Sequence, residues 1–389
     1  MKYLHTADLH LGYRQYGIAS REGDFVHAAR QIADIAVAEH VNCVLVSGDV
    51  FDSPRPPAYA VQAFREIVER LAAANIPVVT IDGNHDLASG RWSTLCGARP
   101  AYRDGVPPPR TDAALVDFEN HAIPRTDDLR ASCRGVVGID YCSRQALFDQ
   151  LEETAHAVED GRIPAARVVM LHMEIAEMAA YSTAVSIDEL EPYMERIGAR
   201  YVALGHIHNR VVRRMDGGRV YCYPGSTEVN DTTEVGVKTV EIVEIGDDGR
   251  VETETRALDT RRFLSFDVSD AQALERLMPT VEDPANHDAF WLVKTNLSAP
   301  GDLATRVHDL MAGRLYKLLP YGSARIERMT DRTSVTAGLK EAVAAFFDAD
   351  SDEAHLVVAM IENPNDAKAI ASRYLESKTQ EKNADEEEK

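Results

Sequence analysis

Residues 1 to 12 read MKYLHTADLHLG, and this stretch decides the architecture. Lys2 to His5 has the length and apolar content of a short strand, and the chain that leaves it carries Asp8 and His10. Four later runs repeat the arrangement. Cys43 to Val46 precedes Gly48 and Asp49, and Val78 to Ile81 precedes Asn84, His85 and Asp86. Val168 to Leu171 precedes His172, and Tyr201 to Leu204 precedes His206 and His208. Between the first of these runs, Asp24 to Glu39 places Phe25, Ala28, Ile32 and Ile35 at near-helical spacing, and Val61 to Ala74 does so with Phe64, Ile67, Val68 and Leu71. Strands alternating with amphipathic helices predict a layered α/β fold with both helices packed on the sheet.

The polar clusters carry the chemistry. Ligand sites in α/β sheets form beyond the carboxyl ends of the strands, so five clusters placed there can converge on one crevice although some two hundred residues separate the first from the last. In Asp8-x-His10 and His206-x-His208, alternate residues of an extended chain share one side, so both members of each pair can reach that crevice. Imidazole, carboxylate and carboxamide donors without thiolate suit Mn, Fe or Zn in a working site better than a structural zinc. A single strand-end His or Asp is ordinarily a cap or a satisfied polar group. Five together are different: an unpaired buried polar group costs about 1 to 3 kcal/mol, so a fold gathers this many only for a metal or for catalysis. His5, His27, His40, His121, His156, His287, His308 and His355 lie within periodic segments or alone in loops and read as structural or surface residues.

In this order and combination, DLHLG, GDVFD, GNHD, the lone His172 and GHIH resemble the calcineurin-like metallophosphoesterase superfamily. Within it, HTADLHLG, GDVFDSPRPP and YPGSTE resemble the SbcD-type nucleases, prokaryotic counterparts of the eukaryotic double-strand-break repair nuclease of meiotic recombination. The resemblance covers about the first 265 residues. It implies a four-layer α/β/β/α sandwich with a small α+β cap domain and a helical C-terminal segment. It also implies two divalent ions, Mn2+ by family habit: Asp8, His10 and His208 on one, Asn84, His172 and His206 on the other, and Asp49 bridging. His85 would then protonate the leaving sugar oxygen, with Asp86 orienting its imidazole. The implied activity is Mn-dependent cleavage of DNA phosphodiesters, as a 3'-5' exonuclease on duplex ends and an endonuclease on single strands and hairpins. Asp52 stands where some members carry a histidine; an aspartate cannot be a cationic donor at neutral pH, so a role there would be orienting or repulsive.

The rest of the chain sets the frame. With 389 residues, two or three domains are expected. Strand-like alternation in VKTVEIVEI and the turn GDDGR suggest a second sheet layer of the first domain, which would occupy residues 1–260. Residues 261–331, with RFLSFDV, DLATRVHDLMAG and SARIERM, would form the capping, DNA-presenting domain; 332–378 read as helical and 379–389 as an acidic tail. By the resemblance, the helical segment docks an ABC-type coiled-coil ATPase (SbcC-like) through Leu339, Val343, Phe346 and Phe347, and the chain is a homodimer. A net charge of -21 excludes bulk electrostatic wrapping of a polyanion, so DNA contacts must be local. Arg14, Tyr16, Arg55 and Arg91, near three of the motifs, are the candidates. The five scattered cysteines include no C-x-x-C pair and read as reduced, no run of about 18 apolar residues occurs, and the N-terminus lacks a secretory pattern, so a cytoplasmic location without membrane contact is expected. A small-molecule or cyclic-nucleotide phosphodiesterase or phosphatase of the same superfamily is the alternative, although GDVFDSP lacks the arginine-containing turn of the protein phosphatases. An inactive scaffold for the ATPase is a further one, and it would predict damaged ligands.

Overall fold

The computed structural model describes residues 1–86, 92–100, 135–178, 185–231, 234, 236–295 and 303–320. The five motif strands form as β1 (Lys2–Thr6), β2 (Cys43–Ser47), β3 (Val78–Ile81), β6 (Val168–His172) and β7 (Tyr201–Gly205). The remaining strands of the two large sheets are β4 (Arg99–Pro100), β5 (Val136–Ile139), β8 (Val211–Arg214), β9 (Val220–Tyr223), β10 (Thr239–Ile245) and β11 (Val251–Ala257). One sheet runs β11-β10-β1-β2-β3-β4, the other β5-β6-β7-β9-β8.

Side-chain alternation divides the core into three apolar layers. Tyr3, Cys43, Leu45, Val79 and Ile81 of the first sheet meet Val168, Met170, Tyr201, Ala203 and Cys222 of the second in one buried cluster. Their strand neighbours Leu4, Val44, Val46 and Val78 point the other way, onto helices α1 (Ala19–Ala38) and α2 (Ala58–Ala73). On the far side Val169, Leu171, Val202 and Leu204 pack against α4 (Arg144–Glu159) and α5 (Ile187–Ile197). The order is therefore α/β/β/α; the short α3 (Trp92–Leu95) precedes β4.

VKTVEIVEI does not open a second layer as expected. β10 pairs antiparallel with β1 and extends the first sheet, with Leu4 opposite Ile242; the second layer is built around β6 and β7 instead. Alternation within β10 cannot reveal its partner, since either sheet offers it one inward and one outward face. Its hairpin partner β11 follows the expected GDDGR turn, closed by the Gly246 amide on the Arg250 carbonyl at 2.9 Å. Both long helices begin earlier than the apolar spacing indicated, α2 directly after Pro57, whose fixed φ suits a helix entrance.

A third, three-stranded sheet runs β12-β13-β14, from β12 (Phe263–Val268), β13 (Phe290–Thr295) and β14 (Leu315–Pro320), with α6 (Ala271–Glu282) and α7 (Leu303–Leu310) between them in the chain. The chain divides into two compact units: one comprises Met1–Phe266, Gln272–Val293 and Arg306–Lys317, the other Asp267–Ala271, Lys294–Thr305 and Leu318–Lys389. No helix among the described residues is long and apolar enough to cross a membrane. Among the described residues Cys43, Cys96, Cys142 and Cys222 form no disulfide; Cys133, Arg91 and the C-terminal residues Leu339, Val343, Phe346 and Phe347 lie outside the described residues.

Candidate metal centre

Parallel pairing brings the motifs together. Thr6 is in register with Val46, Ser47 with Ile81, and His172 with Gly205, so the carboxyl ends of neighbouring strands stop level with one another. The two sheets then meet at that edge: His172 Nδ1 donates to the Ser47 carbonyl at 2.7 Å. The glycines are required by closeness. A Cβ on Gly48 would strike the His172 ring, and one on Gly205 would strike the Ser47 carbonyl and the same ring.

Asp8 and His10 reach the centre by a different route from the one their spacing suggested. Both have left-handed backbone, φ 54° and 44°, as do Asp49 at 51° and His206 at 95°. The chain is not extended there; it folds back over the strand end, fastened by the Asp8 amide on the Gly48 carbonyl and the His10 amide on the Asp49 carbonyl, each 3.1 Å. Four non-glycine residues in a sparsely populated region, all at one site, are the backbone signature of a functional centre.

Among the described residues three donor groups have ligand atoms within 4.8 Å of one another: Asp8 with His10 and His208, Asp8 with Asp49 and His172, and His10 with Asp52 and His85. His10 and His208 approach Nε2 to Nε2 at 3.2 Å. Asn84 Oδ1 stands 3.1 Å from His172 Nε2 and 2.9 Å from His206 Nδ1. Asp49 Oδ2 is 3.2 Å from His172 Nε2 and 3.8 Å from His10 Nε2. The Asp8 carboxylate accepts the His206 amide at 3.0 and 3.1 Å.

Electrostatics shows what this arrangement can hold. With its Nδ1 proton committed to Ser47, His172 turns Nε2 toward Asp49 and Asn84, and acceptors facing acceptors require a cation between them. Burial works to lower the His172 pKa, but the charge and hydrogen bond of Asp49, the Asp8 charge and the Ser47 carbonyl together outweigh it and push it up to about 9. Burial works against ionisation of Asp49, and the His172 charge beside it holds that carboxyl well below the usual range. Burial also raises Asp8, against the pull of His172 and His208. The mixed N/O donor set fits a divalent metal ion.

His85 stands on the open side of the centre, its ring 4.8 Å from that of His10. Its orientation corrects the expected role of Asp86. That carboxylate makes no hydrogen bond to the His85 ring; it accepts the backbone amides of Val50 at 3.1 Å, Phe51 at 3.0 Å and Gly83 at 3.0 Å, tying the GDVFD loop to the GNHD loop. Burial and then the Asp49 charge push its pKa up to about 7. The His85 ring is held instead by Asp52, whose carbonyl accepts from Nδ1 at 2.8 Å. The Asp52 carboxylate lies 3.5 Å from His10 Nδ1 and 3.9 Å from His85 Nδ1. The hold on the His85 ring thus comes from the Asp52 backbone carbonyl.

Sequence reading missed three contributors. Glu234 Oε1 lies 2.8 Å from His208 Nδ1, Glu174 Oε1 lies 3.4 Å from His206 Nε2, and the Tyr141 ring lies 6.2 Å from both the His172 and His206 rings. Glu174 follows the motif residue His172 by two positions and Tyr141 follows β5 by two, so strand-end position marks both, whereas only distance in space marks Glu234. Tyr141 and Glu174 line a cavity of about 250 Å3 beside His206, together with Met173 and Arg144. Of the proposed DNA contacts, Arg14 pairs with Glu22 at 2.6 Å and Tyr16 stacks on Phe290 with centroids 5.7 Å apart. Arg55 is exposed in the turn after Asp52.

Residues 1–248 match the family model described as the calcineurin-like phosphoesterase superfamily domain. The chain belongs to that superfamily. Among its relatives are proteins named DNA double-strand break repair protein Mre11: that of Aeropyrum pernix is 30% identical over 233 residues, 58% of this chain and 53% of the relative. That of Sulfolobus acidocaldarius is 32% identical over 238 residues, 60% and 56% respectively. A Bacillus subtilis relative, the uncharacterized metallophosphoesterase YhaO, is 28% identical over 294 residues, 73% of this chain and 67% of that one. The chain spans just over half the length of the Mre11 relatives. As a calcineurin-like phosphoesterase with this donor set, it carries a divalent-metal site.

Proposed function

We propose that the chain is a two-metal, Mn-dependent DNA phosphodiesterase, cutting duplex ends 3'-5' and single strands or hairpins internally. The observation that supports it best is the convergence of Asp8, His10, Asp49, Asn84, His172, His206 and His208 around a space that His85 overlooks. The likeness to proteins named for double-strand-break repair supports DNA as the substrate.

In this reading Asp8, His10 and His208 would hold one ion and Asn84, His172 and His206 the other, with Asp49 as a ligand shared by both. When bound, such a pair lowers the pKa of water and neutralises charge on the phosphate. The chain's own residues do the rest. Asp86 keeps the two loops in register, Asp52 holds the His85 ring, and His85 Nε2 presents a proton to the leaving sugar oxygen.

The division into a nuclease domain over 1–260, a capping domain over 261–331 and an ATPase-docking segment over 332–378 belongs to the same proposal, as do the homodimer and an ABC-type partner. A second reading, a small phosphodiester as substrate, is favoured by the cavity beside His206. One experiment separates the two: purified chain with Mn2+ on end-labelled linear duplex and, in parallel, on a chromogenic phosphodiester, with His85→Ala as control. Degradation of duplex ends that His85→Ala abolishes supports the nuclease. Turnover of the chromogenic ester alone would sink the DNA assignment and leave the small-substrate reading.

A further inference from the structure

Glu234 and Lys238 form a buried ion pair that the reaction as described does not use. Their side chains are 3% and 5% exposed, the pair adjoins a candidate metal ligand, and removing two charges from water needs a return. The carboxylate is fixed from every side. Oε1 accepts the Asp231 amide at 3.1 Å in addition to facing His208 Nδ1; Oε2 accepts the Asn230 amide at 3.1 Å, lies 3.0 Å from Ser226 Oγ and is paired with Lys238 Nζ. Lys238 Nζ also donates to Ser226 Oγ at 2.7 Å and to the His208 carbonyl at 3.2 Å, gripping the metal ligand by its backbone as well.

We infer that Glu234 is a positioning residue for His208, and that Lys238 anchors it in that role. An ionised carboxylate can only accept, so at 2.8 Å it requires a proton on His208 Nδ1 and leaves Nε2 to coordinate. Nε2 points at the remaining members of its set, 3.2 Å from His10 Nε2 and 3.9 Å from Asp8 Oδ1. Turning the Asn230 amide, whose Oδ1 has no partner among the described residues, would bring a second acceptor 3.3 Å from the same nitrogen. The contrast with His172 is informative, since its Nδ1 rests on the neutral Ser47 carbonyl. A carboxylate partner makes His208 the more basic ligand, so Glu234 raises the affinity of the metal position that His208 serves, and leaves that of the Asn84, His172 and His206 position unchanged.

The inference rests on the two-ion assignment above, and its test reads metal binding rather than cleavage. Calorimetric titration of metal-free full-length protein with Mn2+ should resolve two positions. Glu234→Gln should weaken one of them about 10- to 100-fold and leave the other as it was. In a His208→Ala background the same substitution should add no further loss. Unchanged affinity in Glu234→Gln, or an equal additional loss on top of His208→Ala, would overturn the positioning role. A wild type that binds no Mn2+ would overturn the metal centre itself, a result visible before any variant is compared. Because Glu234→Gln leaves Lys238 unpaired and could misfold, histidine 15N spectra of the Zn2+-loaded wild type give an independent reading. They should show His208 coordinated through Nε2 with a slowly exchanging Nδ1 proton; coordination through Nδ1 would refute the inference without any substitution.

Discussion

Replacing Asp86 by alanine removes the acceptor for three backbone amides at once, those of Val50, Phe51 and Gly83. Phe51 and Val50 are fully buried, so no bulk water can substitute. At about 1 to 3 kcal/mol per orphaned donor, and allowing one water into the space left by the carboxylate, the two loops should lose about 4 kcal/mol of local stability. The assay is amide hydrogen exchange of the metal-free protein at pH 8, above the raised Asp86 pKa of about 7, so that the wild-type carboxylate is ionised. Peptides spanning residues 48–53 and 82–86 should exchange about a thousandfold faster in Asp86→Ala, while β6 keeps its protection. Asp86→Asn, which retains one acceptor oxygen, should fall between the two. If protection in both loops is unchanged and only cleavage drops, the carboxylate acts on the His85 ring after all, and the account of two tethered loops is wrong.

His85→Ala should lower turnover about 10^2- to 10^4-fold without altering Mn2+ stoichiometry by calorimetry. Asp52→Ala should cost less than that, because the bond to His85 Nδ1 comes from the Asp52 carbonyl, which alanine retains; equal losses would mean that the carboxylate is the working group. Saturating Mn2+ at about a hundred times Kd should stabilise the fold by about 2.7 kcal/mol, and a chelator should lower the melting temperature by about 5 to 10 °C; a melting curve indifferent to metal would contradict the centre. Acid should destabilise through His5. Burial lowers its pKa from 6.5 to about 3, between Tyr201 OH at 2.8 Å and Ser47 Oγ at 3.0 Å. The neutral ring is favoured only in the folded chain, so the stability it contributes is complete above pH 6.5 and falls as pH drops toward 3, by about 3 kcal/mol at pH 4. His5→Gln should show a shallower dependence in urea melts over that range, and an identical slope would exclude His5 as the acid-sensitive group.

Short-range patterns were enough to read the layers and the ligands. The alternation of Leu4 with Tyr3, or Val44 with Leu45, announces strands buried on both faces, and polar clusters just past five such runs announce a shared edge, because both properties belong to a few consecutive residues. What those residues do to one another was settled only by folding. The backbone of Asp8 and His10 turns left-handed because the carbonyls of Gly48 and Asp49, in the loop after β2 some forty residues on, capture their amides. Asp86 ties loops rather than an imidazole because its nearest donors come from the GDVFD turn. β10 joins β1 although its pattern permits either sheet, and Glu234 finds His208 twenty-six residues away in a stretch with no strand periodicity. Spacing along a chain specifies which face a side chain takes, since that follows from local backbone geometry; which partner waits on that face depends on segments whose separation in sequence carries no information about their distance in space.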